Sequence, residues 1–302
     1  MAGRDKTVAV LALLTGALVW GLIWYPFRVL ELAGLSGLYA SVLSYAIAAA
    51  SGVVLLRAQL RGFSRQISGK LVLIGLAAGG CNLGYVLATL HGEVMRVLLL
   101  FYLAPLWTVV WSRILLDERL NRAGIAVVML SLSGAITMLW RPELGAPWPS
   151  CGAEWLGMGA GFLFALSNVL VRQTHQLSIA LKSMAVFLGV VLLGLLVMLF
   201  ELVSGSGKPV MTGMTQMHWW HWGLLVLVGV ILLFINLVVQ HGLSTTPANQ
   251  AIVIFLFELV VAALSSWLLT DESMGVKEWV GGAMIITASL FSGHMENRVE
   301  RG

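Results

Sequence analysis

The stretch "IVIFLFELVVAALSSWLL", residues 252–269, is apolar or small throughout except for one carboxylate, Glu258. A helix needs about 20 mostly apolar residues to cross a bilayer, and this run approaches that length. A carboxylate near the middle of such a helix costs about 2.5–3.5 kcal/mol on insertion scales, so it has to face protein or a water-filled space. The run is not alone. Comparable ones lie near 7–27, 36–56, 70–90, 94–116, 122–140, 153–172, 179–203, 219–241 and 276–293, so that 248–270 is the ninth of ten. The breaks between them are polar or rich in Gly and Pro, such as "DERLNR" (117–122), "RPELGAPWPSCG" (141–152) and "SGSGKPVMTG" (204–213).

Composition agrees. The 302 residues are 59% hydrophobic and only 11% charged, with a mean hydropathy of +0.92. A soluble domain carries about 25% charged residues and could not build its surface from this stock. The expected fold class is therefore an all-α polytopic membrane protein of ten transmembrane helices. Repeated long runs without alternation exclude a β-barrel. The net charge of +4 comes from Lys and Arg scattered singly between apolar runs, a pattern of membrane proteins and not of a nucleic-acid surface. Cys81 and Cys151 give neither a disulfide framework nor a metal-binding pair. The opening segment has an apolar part too long for a signal peptide, and "WYPFRVLEL" (24–32) offers no small-residue cleavage site, so it reads as the first span.

Placing the N-terminus in the cytoplasm puts only Arg28, Arg96, Arg141, Lys208 and Lys277, of the 18 Lys and Arg, on the outer side. Positive charge collects inside, so both termini are expected to be cytoplasmic and the bilayer to be an inner (plasma) membrane. "HWWHW" (218–222) then falls at the outer interface, where an aromatic belt is expected, and its histidines need no metal to explain them.

The chain also repeats itself. A shift of 154 residues sets "LVLIG" (71–75) on "LVLVG" (225–229), Asn82-Leu83 on Asn236-Leu237, Phe101 on Phe255 and Asp117-Glu118 on Asp271-Glu272. A shift of 144 sets Arg28 on Arg172. Chance matches in an apolar chain would fall on Leu and Val, not on Asn and Asp-Glu pairs. The expected organisation is a first five-helix repeat over 1–140, a periplasmic linker over 141–152, a second repeat over 153–293 and a cytoplasmic tail over 294–302. Five is odd, so the second copy enters the membrane upside down. Two inverted five-helix repeats are the plan of secondary transporters, which bind solute near the midplane between the repeats.

Three segments carry a family resemblance: "ALVWG" (17–21), "YLAPLWTVVWSRILLDERL" (102–120) and "FLFELVVAALSSWLLTDES" (255–273). Here the chain resembles the drug/metabolite transporter superfamily, in its ten-helix branch with two EamA-type repeats, over nearly its whole length. The resemblance implies export or exchange of small metabolites, often amino acids, through a central cavity lined by spans 1, 3, 4, 6, 8 and 9. Relatives often carry Glu-Pro in the ninth span, where this chain has Glu258-Leu259. Relatives also often have an Arg in the second span, where this chain reads "VLSYAIAA" (42–49).

Polar residues at membrane depth are the candidates for the site. Glu258 reads either as a proton or substrate-ammonium site or as a neutral acid hydrogen-bonded to a neighbouring helix, since removal from water disfavours an ionised carboxyl. Asn82 and Asn236 occupy equivalent positions in spans 3 and 8 and offer both donors and acceptors to a zwitterion, or to another helix. Tyr85 and Gln240, three and four residues further on, share their faces. Trp20, Trp24 and Tyr102 form an aromatic set suited to lining or to packing, and Asn168 is a weaker candidate in span 6. Gly75, Gly79, Gly80 and Gly84 are expected to let span 3 approach its neighbours closely.

Motifs of hydrolases, zinc enzymes, P-loops and dinucleotide sites do not occur. The expected partners are a small-molecule solute, lipid and, as coupling ion, protons, with no cofactor, metal, nucleic acid or ATP. A drug-type efflux carrier is the alternative within the class. A membrane-embedded enzyme or a channel-like bundle is the alternative outside it.

Overall fold

A computed structural model of the chain describes residues 2–60, 67–144, 148–204, 217–269 and 274–295. Asp271 and Glu272, half of the Asp-Glu correspondence, lie outside the described residues. All regular structure among the described residues is helical. In chain order the helices are α1 (Ala2–Leu22), α2 (Trp24–Leu32), α3 (Gly37–Leu55), α4 (Gly69–His91), α5 (Val94–Phe101), α6 (Ala104–Leu115) and α7 (Arg122–Leu139). They continue as α8 (Gly152–Gln173), α9 (Ile179–Ser204), α10 (Trp219–Thr245), α11 (Ala248–Phe255), α12 (Phe257–Leu269) and α13 (Val276–Phe291). Nine stretches among the described residues are long and apolar enough to cross a membrane, with α1–α2, α5–α6 and α11–α12 each counting as one and the 16-residue α13 falling short of that length. The protein is thus an all-α polytopic membrane protein. Its outer faces remain apolar, as on α9, where Leu192, Leu196, Leu199 and Phe200 are exposed.

Three spans turn partway. α1 ends at Leu22 because Pro26, four residues on, has no N–H to offer its carbonyl and crowds it. In span 4 the helix tightens between Phe101 and Ala104, where Leu103 N–H reaches Leu100 O (3.4 Å) and Leu106 N–H reaches Leu103 O (2.9 Å). Pro105 has no N–H to donate to the Phe101 carbonyl there. Span 9 turns at Leu256, with Leu259 N–H on Leu256 O at 3.0 Å, although it has no proline. Leu256 is Tyr102 advanced by 154 residues. The turn therefore recurs at the equivalent place by other means, and a proline is not required for it.

Helix pairing is exchanged between the halves. α8 packs on α4, α5 and α6, while α1 packs on α10, α11 and α12. α9 packs on α4 and α3, α3 in turn on α10, and the two last helices, α7 and α13, on each other. Glycines set the closest approaches. Gly75 and Gly79 of α4 lie against the backbone of Ala185 and Gly189 in α9, while Gly80 and Gly84 meet Leu163 and Ala160 of α8. Gly229, the counterpart of Gly75, meets Ile47 and Ser44 of α3. The span-3 glycines thus serve packing within the bundle. At the centre, Phe164 of α8 touches both Phe101 (5.6 Å) and Phe255 (5.9 Å), the two residues that precede the turns of spans 4 and 9.

Candidate functional site

Glu258 stands in the first turn of α12, just past the turn at Leu256. α1 can come this close because Gly21 lies against the Glu258 carbonyl. The Glu258 carboxyl faces the hydroxyl of Tyr102, which caps α5 at the equivalent turn of span 4. Two interrupted helices, one from each half, therefore meet through one acid and one phenol. Cys81 and Tyr85 of α4 are within electrostatic reach of the same carboxylate. Tyr85, Phe101 and Tyr102 form an edge-to-face chain with successive ring centroids 5.2 Å apart. Although they sit partway along their spans, Glu258, Tyr85, Asn82 and Cys81 all remain partly exposed. Side chains that touch interior partners and yet keep accessible surface are what the wall of a cavity looks like.

Asn82 lies one residue past Cys81 and is tied to span 2. Ser41 Oγ donates to its Oδ1 at 2.6 Å, and the hydroxyl of the buried Tyr45 lies near its side chain. The sequence reading missed both neighbours. The signal was present in "VLSYAIAA", whose Tyr45 is a polar tip in an otherwise apolar span, but only its lack of Arg drew notice.

On the other side of the bundle are the remaining amides. Asn168 is 7% exposed, Asn236 8% and Gln240 3%, so all three are buried. Asn168 Nδ2, Asn236 Oδ1 and Gln240 Oε1 nevertheless have no hydrogen-bond partner. α8 and α10 run side by side in one direction and are joined at their ends by Arg172 Nη1 donating to Ser244 O at 2.7 Å. One turn back along each helix, Asn168 and Gln240 come level, and Asn236 follows one turn beyond. A buried amide atom left unpaired costs about 1–3 kcal/mol, so three near one level, one donor and two acceptors, mark a place for a polar ligand.

The aromatic candidates separate. Trp20 is half-buried and packs against the core cluster that holds Phe255 and Val239. Trp24 is committed elsewhere: its indole N–H donates to Ser265 Oγ at 2.9 Å, and Ser265 Oγ donates in turn to Gly21 O, joining α2 and α1 to α12. No cluster of His, Cys, Asp and Glu among the described residues could hold a metal. His218 and His221 instead cap α10, with His218 N–H on His221 Nδ1 at 3.0 Å, and His221 stacks on Trp220 at 3.6 Å.

Fold and site together define a class: a polytopic helical membrane protein whose interrupted helices bring isolated polar groups together at mid-depth. The family model of the EamA-like transporter family matches residues 152–293. The second half of the chain is thus similar to that family, and the whole chain fits an EamA-type membrane transporter. The members of that family are transporters and not enzymes. A solved structure, described only as a crystal structure of a protein, is similar with a TM-score of 0.70 over 94% of this chain and 96% of its own, at 16% identity. That likeness shows the fold alone. No curated protein matches the chain.

Proposed function

We propose that the protein is a secondary transporter that exports or exchanges small metabolites, amino acids foremost, across the inner membrane by alternating access. The observation that carries this reading is the meeting of Glu258 and Tyr102 at the two turned helices, partly exposed and deep in the bundle. Glu258 supplies the negative charge for a substrate ammonium or for a coupling proton. Tyr102, Tyr85 and Asn82 supply hydrogen bonds beside it, and the unpaired amides of Asn168, Asn236 and Gln240 supply the groups for the solute's other end. Trp20 closes the site with apolar surface. The chain's two halves, read as inverted repeats, offer two mirror-related arrangements around this site. Both termini are placed in the cytoplasm by the Lys and Arg distribution.

Aromatic rings around one carboxylate would also suit a hydrophobic cation, which keeps a drug-type efflux carrier as the second reading. Counterflow in proteoliposomes tests both. Purified protein is loaded with each amino acid in turn, and with lipophilic amines, and accumulation of trace labelled solute is followed. Saturable counterflow of at least one amino acid is the expected result. Counterflow of the lipophilic amines alone selects the second reading, and flux of all solutes without saturation sinks both.

A further inference from the structure

The end of the bundle where α6, α8 and α10 finish and α11 begins carries a polar network that the central site does not use. Asp117 takes a left-handed φ of 55°, a conformation open to aspartate, and so ends span 4 and turns Glu118 back onto the bundle. The Glu118 N–H donates to Ser112 O at 3.2 Å. One Glu118 carboxylate oxygen accepts from the N–H of Ala248, the first residue of α11, at 3.0 Å. The other lies 3.6 Å from Arg172 Nε. A carboxylate at a helix N-terminus and beside a guanidinium is held twice, by the helix dipole and by the ion pair. Arg172 goes on to Ser244 O in α10, and Gln173 Nε2 donates to Leu115 O at 2.8 Å. Asn249 Nδ2 donates to Ser112 Oγ at 3.0 Å, which joins α11 to α6 directly.

Lys182 of α9 completes the network. It is fully buried, and its Nζ donates to Ser244 Oγ, to Thr174 O (3.4 Å) and to Val171 O (3.5 Å). Among the described residues no carboxylate lies within 4 Å of it. An ammonium buried on one hydroxyl and two carbonyls, with no carboxylate beside it, is expensive, and it is tolerable in a state that a working cycle leaves again for a wetter one. Spans 4, 6, 7, 8 and 9 are thus joined at one level. At the opposite end, among the described residues, Arg96 pairs with Glu154 (2.6 Å) between α5 and α8, and Trp24 donates to Ser265 between α2 and α12.

We infer that this network is the gate that closes one end of the transport path, with Glu118 as its latch and Arg172 and the α11 N-terminus as the two parts it holds. The inference rests on the alternating-access reading. Solute can leave past Ser244 only if α6 and α11 part from α8 and α10, and the bonds to be broken are polar ones that entering water replaces. Glu118 does not touch the central site, so it acts as a positioning residue.

Two measurements test it. In protein carrying Cys151→Ser, the remaining thiol is Cys81 at the centre, and an impermeant maleimide applied at the Glu118 side reports opening of that end. Glu118→Gln keeps an acceptor for Ala248 but removes the charge, and Cys81 should then label about fivefold faster or more from that side. Independently, Leu115→Cys with Gln173→Cys, which spans the α6–α8 contact that must part, should cross-link on oxidation in a background lacking Cys81 and Cys151. Transport should then stop and return with reductant. Transport that continues through complete cross-linking overturns the gate, as does unchanged Cys81 labelling in a well-inserted Glu118→Gln protein. Faster labelling in a protein that moves no solute in counterflow leaves the gate standing and removes the transporter reading instead.

Discussion

Glu258 and Tyr102 join two helices that turn at equivalent places, and their chemistry separates a working site from a structural contact. If Glu258 carries a proton or contacts the solute's ammonium, Glu258→Gln abolishes active transport although the shape is nearly unchanged, and Glu258→Asp keeps part of it. If the pair only holds spans 4 and 9 together, the order reverses. Gln then serves nearly as well as a protonated acid, and Asp fails for want of reach. Tyr102→Phe deletes the phenol hydroxyl that faces this carboxyl, and loss of one hydrogen-bonding group is worth about 0.5–1.5 kcal/mol, so apparent affinity should fall about two- to tenfold. Counterflow rates at matched membrane levels decide all three. That Glu258 would be special was legible from its isolation in an apolar run. Its partner was not, because nothing in the sequence distinguishes Tyr102 from other aromatics 156 positions away.

At the scale of helices, the glycine crossings and the turns make separate demands. A Cβ on Gly189 would run into the Gly75 backbone, whereas one on Gly69 would meet nothing within 4 Å. Gly189→Ala forces α4 and α9 apart and should lower the melting temperature in detergent by about 2–10 °C. Gly69→Ala should leave it within about 1 °C. Equal melting for the two would mean that the α4–α9 contact is slack. Pro105→Ala restores to span 4 the N–H that span 9 already has at Leu259. Since span 9 turns without a proline, the turn should persist, and transport should stay within about twofold of the parent. Loss of transport with intact melting would show that the proline itself is needed. The small-xxx-small spacing in span 3 was readable because close helix contact requires small residues wherever the partner lies. Which helix each glycine would meet was not.

For the molecule as a whole, the property to be decided by experiment is the inverted arrangement that the sequence repeat implies. Single cysteines at Asp117 and Asp271 in a cysteine-free background should label from opposite faces of the membrane, Asp117→Cys from the cytoplasmic side and Asp271→Cys from outside. Labelling of both from one side would end the inverted-repeat reading. The exchange of helix partners between halves is a strong feature of the packing: each half's first helix covers the other half's third and fourth.

The amino-acid sequence alone determined that this chain lives in lipid and roughly where its spans lie, though not that spans 1, 4 and 9 turn partway, and it supplied the expectation that its halves correspond. These are local or self-referential properties, set by how long an apolar run lasts and by residues matched at a fixed shift. Only the tertiary structure decided that Glu258 meets Tyr102, that Asn82 is held by Ser41 and lies near Tyr45, and that Glu118, Arg172 and Lys182 gather at one end of the bundle. In a lipid solvent every helix is apolar all round, so periodicity does not say which face turns inward. That is settled by which neighbour each helix can approach, and the glycine crossings fix it.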